Sequence, residues 1–247
     1  MHILPPIEDR IISRPGSHQG KIPQFVPDLT YDEFWEDFYI RINKILGLKF
    51  PLKGNAGTID PYFGHFGTRF HPVTKTPHYF HVGIDILAPR ETLVYPILEG
   101  IFEYSGFSST NGKYVLLSHP EVQTDDGFNL WSIYMHLDRY TIKFTKYQKM
   151  LREMSFHNHP KIPLKTRRSI GSVGTTGDLR GMVPHLHLQI ELRHRDKIIV
   201  LDGAKVFGLE SKENKTSAIE TIEGFENFCT DHAADLEEWK TVWDANK

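Results

Sequence analysis

The sequence predicts a mainly β protein with an antiparallel β-sheet and helices at both ends. From about residue 60 the apolar residues recur with a period of two, which is the spacing of one face of a strand. The predicted strands are 93–105, 113–119, 129–137, 185–192 and 197–201. Turn pairs such as Asn111-Gly112 and Asp126-Gly127 separate several of them. Because no helix-length pattern intervenes up to residue 137, we expect antiparallel rather than parallel pairing.

Residues 1–55 are predicted to form a proline-rich arm followed by an amphipathic helix. Five prolines within residues 1–29 favour extended chain. Thr30 and Glu33 then form a capping-box pattern, and Gly47 is typical of a helix end. The apolar stripe of this helix comprises Phe34, Phe38, Ile42 and Ile45. We expect this stripe to pack on the sheet domain, with binding of a partner protein as the alternative.

The remaining chain divides into a sheet domain at 56–205 and an acidic helical tail at 206–247. The tail is expected to bury Trp239, Val242 and Trp243. The sheet domain contains an insert at 138–168, and residues 141–170 carry eight Lys or Arg against one Glu. The spacing of these residues predicts a short amphipathic helix. A solvated charged face is the first interpretation of the block, and contact with an anionic substrate is the second.

Composition excludes several classes of protein. With 31 acidic and 29 basic residues, the chain lacks the strong positive charge of a nucleic-acid binder. Its single cysteine, Cys229, allows no internal disulfide and no cysteine-rich zinc module. No segment approaches the roughly 20 apolar residues of a membrane span, and residues 1–20 do not resemble a secretory signal. The 14 histidines direct attention to metal sites.

One predicted strand carries two histidines on its polar face. In residues 185–192 the even positions are Leu, Leu, Ile and Leu, and the odd positions are His, His, Gln and Glu. His185 and His187 would stand about 6.6 Å apart along a strand, so one can bind a metal ion while the other contacts a substrate beside it. The polar outer face of an edge strand would give the same pattern.

His81 and Asp85 form a second candidate pair. In a flat strand their Cα atoms would lie about 13 Å apart, near the limit for two side chains that share an ion. Gly83 relieves this limit, because glycine permits a bend and leaves room for the ion. Imidazole and carboxylate ligands suit zinc, and three protein ligands leave the open position of a catalytic zinc site.

A third segment, 130–136, ends in His136. Alternation predicts one face with Trp131, Ile133 and Met135, and a polar face with Ser132, Tyr134 and His136. Tyr134 therefore lies on the same predicted face as His136. Taken alone, the position of His136 favours a surface or hydrogen-bonded histidine over a catalyst.

These segments resemble those of the lysostaphin-like, or LytM-type, zinc endopeptidases that cut peptidoglycan peptides. The matching segments are Gly67-Thr-Arg-Phe-His-Pro-Val-Thr74, His81-Val-Gly-Ile-Asp85 with Ala88-Pro89, Tyr134-Met-His-Leu137, Gly171-Ser-Val-Gly-Thr-Thr-Gly177 and Pro184-His-Leu-His-Leu188. The resemblance covers about residues 60–205, and five elements in the family's order are far more specific than any one of them. The stretch from His136 to His185 is longer than usual in the family.

The resemblance implies a fold, a site and an activity. The fold is a zinc metallopeptidase domain with a substrate groove across its sheet. His81, Asp85 and His187 are implied to bind one zinc ion, and His136 and His185 to form the catalytic pair, with His185 favoured as general base. The implied substrate is a peptidoglycan peptide, cut either at a cross-link between D-alanine and a diamino acid or in a glycine bridge. The implied location is the cell envelope or outside the cell.

Two other functions remain open. One is a catalytically silent or autoinhibited cell-wall-binding regulator on the same fold, with a regulatory partner at the N-terminal helix or the acidic tail. The other is a cupin-like metal oxygenase that would use His185, His187 and Glu191, although it leaves His81 and Asp85 unexplained.

The other candidate residues have structural interpretations beside functional ones. Arg69 is expected either to hold a substrate carboxylate or to pack within its turn. His71, His78 and His119 are expected to serve structure. His157 and His159 repeat the His-x-His spacing without a strand pattern, so we expect an exposed loop rather than a second metal site.

Overall fold

The computed structural model describes residues 2–13, 24–55, 57–71, 74–140, 162–177 and 183–234. Its strands are β1 His2–Leu4, β2 Ile11–Ser13, β3 Gln24–Pro27, β4 Thr58–Ile59, β5 Gly67–His71, β6 Thr76–His81, β7 Ile84–Leu87, β8 Leu93–Val94, β9 Gly100–Ser108, β10 Gly112–Thr124, β11 Asn129–Tyr140, β12 Ile162–Leu164, β13 Gly171–Val173, β14 His185–His194 and β15 Lys197–Leu201. Its α-helices are α1 Asp32–Leu46, α2 Gly203–Val206 and α3 Ile222–Asp231. Short 3-10 turns occupy Glu8–Arg10, Leu29–Tyr31 and Lys53–Asn55.

Thirteen of the described strands join one sheet, and β5 and β6 form a separate hairpin sheet. The main path of the large sheet runs β12-β9-β10-β11-β14-β15-β3-β2. β14 is central, since it pairs with β11, β15 and β7. Among the described pairs, β1 with β10 and β3 with β15 are parallel and the others are antiparallel. The predicted mainly β, antiparallel fold with flanking helices is confirmed.

The two faces of β14 differ as the sequence predicts. Leu186, Leu188, Ile190 and Leu192 are fully buried in the main hydrophobic core. The opposite face, called the site face below, carries His185, His187, Gln189 and Glu191. All four of these polar side chains are also buried, so β14 has no solvent-exposed face at this point, and its polar groups must find partners within the protein.

Helix α1 packs into the main core through Trp35, Phe38, Tyr39 and Ile42. It ends at Gly47, whose φ of 55° is left-handed, as the sequence predicts. The predicted capping box does not form, because α1 begins at Asp32 and its N-cap makes no side-chain hydrogen bond. Instead, the Asp28 carboxylate accepts from the Thr30 N–H at 3.0 Å and caps the preceding 3-10 turn. The side chain of Ile45 lies outside the described part of the chain.

The predicted strands differ from the observed ones mainly in their ends. Segment 93–105 divides into β8 and β9, since Pro96 has no N–H to donate to a ladder and the Tyr95 N–H instead bonds Pro51 O at 2.7 Å. β10 and β11 run longer than predicted. Both predicted hairpin turns form, with positive φ at Gly112 and Gly127.

The described parts of the proline-rich arm add strands to the sheet. β1 runs parallel to β10, and β3 runs parallel to β15. Within the described residues of the arm, β1, β2 and β3 are extended chain, and β1 and β3 are hydrogen-bonded to two distant strands.

Several predictions fall outside the described residues: the amphipathic helix within the basic block, the loop with His157 and His159, and the buried Trp239, Val242 and Trp243 of the tail. Within the described residues, no helix has the length and apolar character needed to cross a membrane.

Candidate metal centre

Three predicted ligands converge where β6, β7 and β14 meet. His81 ends β6, and Asp85 and His187 are directly opposite in the β7–β14 register. His187 Nδ1 lies 2.8 Å from Asp85 Oδ1 and 3.0 Å from His81 Nε2. His81 Nε2 lies 3.2 Å from Asp85 Oδ1. In the described part of the chain, these residues form the group of His, Cys, Asp and Glu side chains that could hold a metal ion.

The protonation of His81 makes this cluster suited to a cation. His81 Nδ1 lies 2.8 Å from the carbonyl oxygen of His65. Because a carbonyl only accepts, the ring proton is on Nδ1, and Nε2 presents its lone pair to the cluster. Burial, followed by the charge of Arg69, lowers the pKa of His81 to about 4, which favours this neutral form. A lone pair therefore faces a carboxylate oxygen at hydrogen-bond distance, and a shared metal ion would satisfy both.

Asp85 is held by its second oxygen. Arg69 Nη1 donates to Asp85 Oδ2 at 3.1 Å and also to the carbonyl oxygen of Phe63. Burial raises the pKa of Asp85, but neighbouring histidines, chiefly His81, outweigh it and hold that pKa well below its usual range. Arg69 is only 9% exposed, so its role here is to pack the turn and orient a ligand. The expectation that it holds a substrate carboxylate finds no support in this geometry.

Gly83 provides room for a side chain of the cluster. A Cβ at this position would lie 2.5 Å from Leu188 O and 2.7 Å from His187 Nε2. The missing side chain therefore admits the His187 ring and the backbone of β14, rather than admitting an ion directly. A bend at this point also lets β6 join the two-stranded sheet while β7 joins the large one.

The two predicted catalytic histidines lie beside the cluster. The ring centroids of His136 and His185 are 5.1 Å apart, and those of His136 and His187 are 5.8 Å apart. His185 Nε2 lies 3.8 Å from Asp85 Oδ1. His136 Nδ1 donates to Thr176 O at 3.0 Å, and His185 Nδ1 donates to Val183 O at 2.9 Å. In the neutral form, each ring thus keeps a proton-accepting lone pair on Nε2.

His136 reaches the cluster through a break in its strand. Its φ is 62°, and the β10–β11 register shifts between Lys113 and Val115. Burial, together with His185 and His187, lowers the pKa of His136 to about 2. The predicted alternation of β11 holds up to Met135 and is wrong at His136, because the left-handed residue interrupts the period of two.

Tyr134 and Ser132 face the core instead of a groove. Tyr134 is fully buried within the main core. Its hydroxyl accepts from the Ile97 N–H at 2.8 Å and lies 3.1 Å from Ser132 Oγ. The prediction that Tyr134 and Ser132 share a polar face with His136 is wrong. Met135 is directly opposite His187 in the ladder, so it lies on the site face.

Sequence reasoning missed the residues that support the ligands. Asp60 lies in the loop before β5, and its backbone N–H bonds Asp85 O at 3.0 Å. Burial raises the pKa of Asp60, which Asp85 raises further. Thr176, Val183 and His65 contribute backbone carbonyls, for which side-chain patterns give no signal. The sequence did contain a signal for Asp60, because an Asp at the start of a turn accepts hydrogen bonds from backbone N–H groups two and three residues later. The Asp60 carboxylate does so here, from the N–H groups of Tyr62 and Phe63.

His119, His71 and Glu191 have partners away from the metal cluster. His119 is buried between Glu99 O at 3.0 Å and Ser132 Oγ at 2.8 Å. His71 Nδ1 accepts from the Thr74 N–H at 3.0 Å. Glu191 accepts from Arg193 at 2.6 Å and from Gln189. His187 presents Nδ1 to Asp85 and His81, which is not the ligand set of the cupin alternative.

Comparison with known proteins gives matches that include the site. Residues 79–199 match the family model of Peptidase family M23. The peptidoglycan DD-endopeptidase ShyC of Vibrio cholerae is 29% identical over 121 residues, which are 49% of this chain and 22% of that protein. The present chain thus matches about a fifth of this curated relative.

Solved structures give similar matches at low identity. A zinc-containing peptidase from Vibrio cholerae has 21% identity and a TM-score of 0.44, covering 66% of this chain and 40% of the other. The catalytic domain of lysostaphin from Staphylococcus simulans has 22% identity and a TM-score of 0.36, covering 56% and 83%. The resemblance in the sequence is confirmed over residues 79–199, which match the model of Peptidase family M23.

Proposed function

We propose that the protein is a zinc-dependent endopeptidase that hydrolyses peptide bonds of peptidoglycan. The observation that carries this proposal is the convergence of His81 Nε2, Asp85 Oδ1 and His187 Nδ1 at mutual distances of 2.8–3.2 Å. Two nitrogens and one carboxylate oxygen are a donor set that zinc prefers, and three protein ligands are typical of catalytic rather than structural zinc sites. The family segment and the DD-endopeptidase relative support the same activity.

In this proposal, His81, Asp85 and His187 would hold the zinc ion. When bound, zinc polarises a scissile carbonyl and makes water a stronger nucleophile at neutral pH. Arg69 keeps Asp85 Oδ2 occupied, so that Oδ1 is the oxygen left to bind the metal. Gly83 leaves the room that the His187 ring occupies, since a Cβ there would lie 2.7 Å from His187 Nε2.

His136 and His185 would move protons. Each ring donates its Nδ1–H to a backbone carbonyl, so Nε2 is the atom that accepts a proton from water and later returns one to the leaving amine. We assign His185 as the proton acceptor, because its Nε2 is 3.8 Å from the Asp85 carboxylate and it shares β14 with His187. His136 Nε2 would then accept a hydrogen bond from the leaving amine.

The experiment is mass spectrometry of purified sacculi incubated with the full chain, with and without a chelator. New peptide ends that disappear with the chelator would support the proposal and identify the bond. A cross-link that ends in D-alanine is the first substrate to test, given the relative's name, and a glycine bridge is the second. A zinc-loaded protein that binds sacculi without cutting them would instead support the silent or autoinhibited regulator.

A further inference from the structure

The segment at 209–234 covers the loop that supports the metal ligands. Phe225 of α3 stacks on Phe70 with ring centroids 4.6 Å apart and an interplanar angle of 15°. Thr216 O accepts from the Phe70 N–H at 3.2 Å. Phe70 and Phe225 form a small hydrophobic cluster with Tyr62 and Phe63, separate from the main core. The segment lies beyond residue 199, where the family match ends.

Asn214 binds both backbone groups of one residue in that loop. The His65 N–H donates to Asn214 Oδ1 at 2.9 Å, and Asn214 Nδ2 donates to His65 O at 2.9 Å. Only one orientation of the amide satisfies both bonds, since the backbone N–H needs an acceptor and the carbonyl needs a donor. Asn214 is 2% exposed, so water cannot readily replace it.

The carbonyl that Asn214 holds is the one that orients His81. His65 O accepts from Asn214 Nδ2 and also from His81 Nδ1 at 2.8 Å, which uses both lone pairs of the oxygen. The bond to Nδ1 fixes the His81 tautomer, so that Nε2 faces the other two ligands. Partners of this kind are known to set the orientation of metal-binding histidines.

The same segment also supports Asp85, through a second set of contacts. Phe63 O holds Arg69 Nη1, which donates to Asp85 Oδ2. The Phe63 ring packs against Phe225 with centroids 6.1 Å apart. The 209–234 segment therefore contacts the supports of two ligands, by a direct hydrogen bond for His81 and by packing for Asp85.

We infer that Asn214 is a positioning residue for the metal-binding His81, and that the 209–234 segment is part of the metal centre's support. This inference rests on the zinc ligands proposed above. Asn214 acts through His65 O and touches neither substrate nor metal. Its loss leaves the His65 N–H without its acceptor and leaves His65 O bonded to His81 Nδ1 alone, so the carbonyl that orients the His81 ring is held less firmly.

The test uses the full chain with Asn214→Ala and Asn214→Asp, and Thr216→Val as the matched control. Asp keeps the size of Asn and the acceptor for the His65 N–H. It replaces the amide that donates to His65 O at 2.9 Å and to Thr68 O at 3.3 Å with a carboxylate oxygen that only accepts. Thr216 is fully buried two residues away, and its hydroxyl bonds Tyr62 O at 3.5 Å. Valine has the same shape, so this variant perturbs the segment without reaching His65.

Two readouts separate positioning from general stability. Competition with a chromogenic chelator gives the zinc dissociation constant, and the visible spectrum of the cobalt-loaded protein reports the coordination geometry. We expect both Asn214 variants to bind zinc about tenfold more weakly and to show an altered cobalt spectrum. Thr216→Val should keep the wild-type constant and spectrum even if its melting temperature falls.

Wild-type zinc affinity in either Asn214 variant would overturn the inference, as would an equal loss of affinity in Thr216→Val. If Asn214→Ala does not fold, as judged by circular dichroism, the zinc affinity of the isosteric Asn214→Asp variant decides whether the inference holds. Failure of the proposed function would look different, because the wild-type chain itself would then bind no zinc at the three ligands or cut no sacculi.

Discussion

β11 and β14 each bring one histidine beside the candidate ligands, but they do so by different means. β14 alternates regularly, so His185 and His187 share the site face while leucines fill the core. β11 alternates only up to Met135 and then turns through a left-handed residue at His136. Left-handed backbone costs a non-glycine residue about 1–2 kcal/mol. Two hydrogen bonds, from the His136 N–H to Asn111 O at 3.1 Å and from Nδ1 to Thr176 O at 3.0 Å, offset that cost.

The comparison shows two ways to place a side chain at a site. A regular strand places every second residue on the site face, whereas a break in a strand can place there a residue that alternation would put on the opposite face. Backbone strain in a protein tends to occur at functional positions. The β11 break is therefore consistent with the catalytic role proposed for His136, while the regular β14 suits a ligand that must hold a fixed distance.

The largest expected effect comes from removing a proposed zinc ligand on the regular strand, β14. His187→Ala should abolish zinc binding and peptide hydrolysis, because it removes one of three ligands. Gln189→Ala, the next residue on the site face, is the control and should keep the zinc. Metal content by atomic emission and cleavage of sacculi are the measurements. A His187→Ala protein with one zinc per chain would contradict the ligand assignment.

The next effect separates the two strands. His136→Ala should retain zinc and lose about 10²–10⁴-fold in kcat, the usual contribution of a positioned proton-transfer group. Zinc content and kcat are measured on the same preparation. Loss of zinc together with activity would mean that the β11 break supports the ligands rather than the chemistry, and the contrast with β14 would disappear.

A smaller effect concerns pH and the buried partners behind β11. Burial lowers the pKa of His119 to about 4, while the unfolded value is about 6.5. The unfolded chain therefore binds a proton below pH 6.5 that the folded chain binds only near pH 4. The free energy of unfolding should decrease by about 3 kcal/mol from this group as the pH falls through that window.

His119→Gln should lose this part of the decrease, as followed by urea unfolding of the zinc-loaded protein between pH 4 and 7. The control is His78→Gln on the exposed part of β6. A wild-type pH slope in His119→Gln would show that the acid sensitivity arises elsewhere.

The smallest effect tests which face Tyr134 occupies. Tyr134→Phe should lower the free energy of unfolding by about 1–3 kcal/mol, because the buried Ile97 N–H loses its acceptor. The kcat/KM for sacculus peptides should stay at the wild-type value, since this side chain faces the core. Reduced kcat/KM at an unchanged free energy of unfolding would show that the Tyr134 side chain contacts the substrate.

These strands also show what the sequence can and cannot predict. The faces of β14 follow from its alternation, because both are defined by a period of two. The close approach of His81, Asp85 and His187 could be expected only from the family resemblance, since it depends on two strands meeting a third. The face taken by His136 could not be predicted, because a positive φ at histidine leaves no signal comparable to glycine. The support from Asn214 was equally hidden, since one asparagine in an irregular segment has many possible partners.

The parallel pairing of the arm has a consequence for the order of folding. β1 can pair only after β10 has been synthesised, and β3 can pair with β15 only after β15 has been synthesised, near the other end of the described chain. Synthesis releases the N-terminal strands first, so β1 lacks its partner until residue 124 has been made and β3 lacks β15 until residue 201 has been made. Pairing between such distant segments is slow because the loop-closure entropy comes before any contact forms. During translation, the arm is therefore an exposed strand edge open to chaperones and proteases.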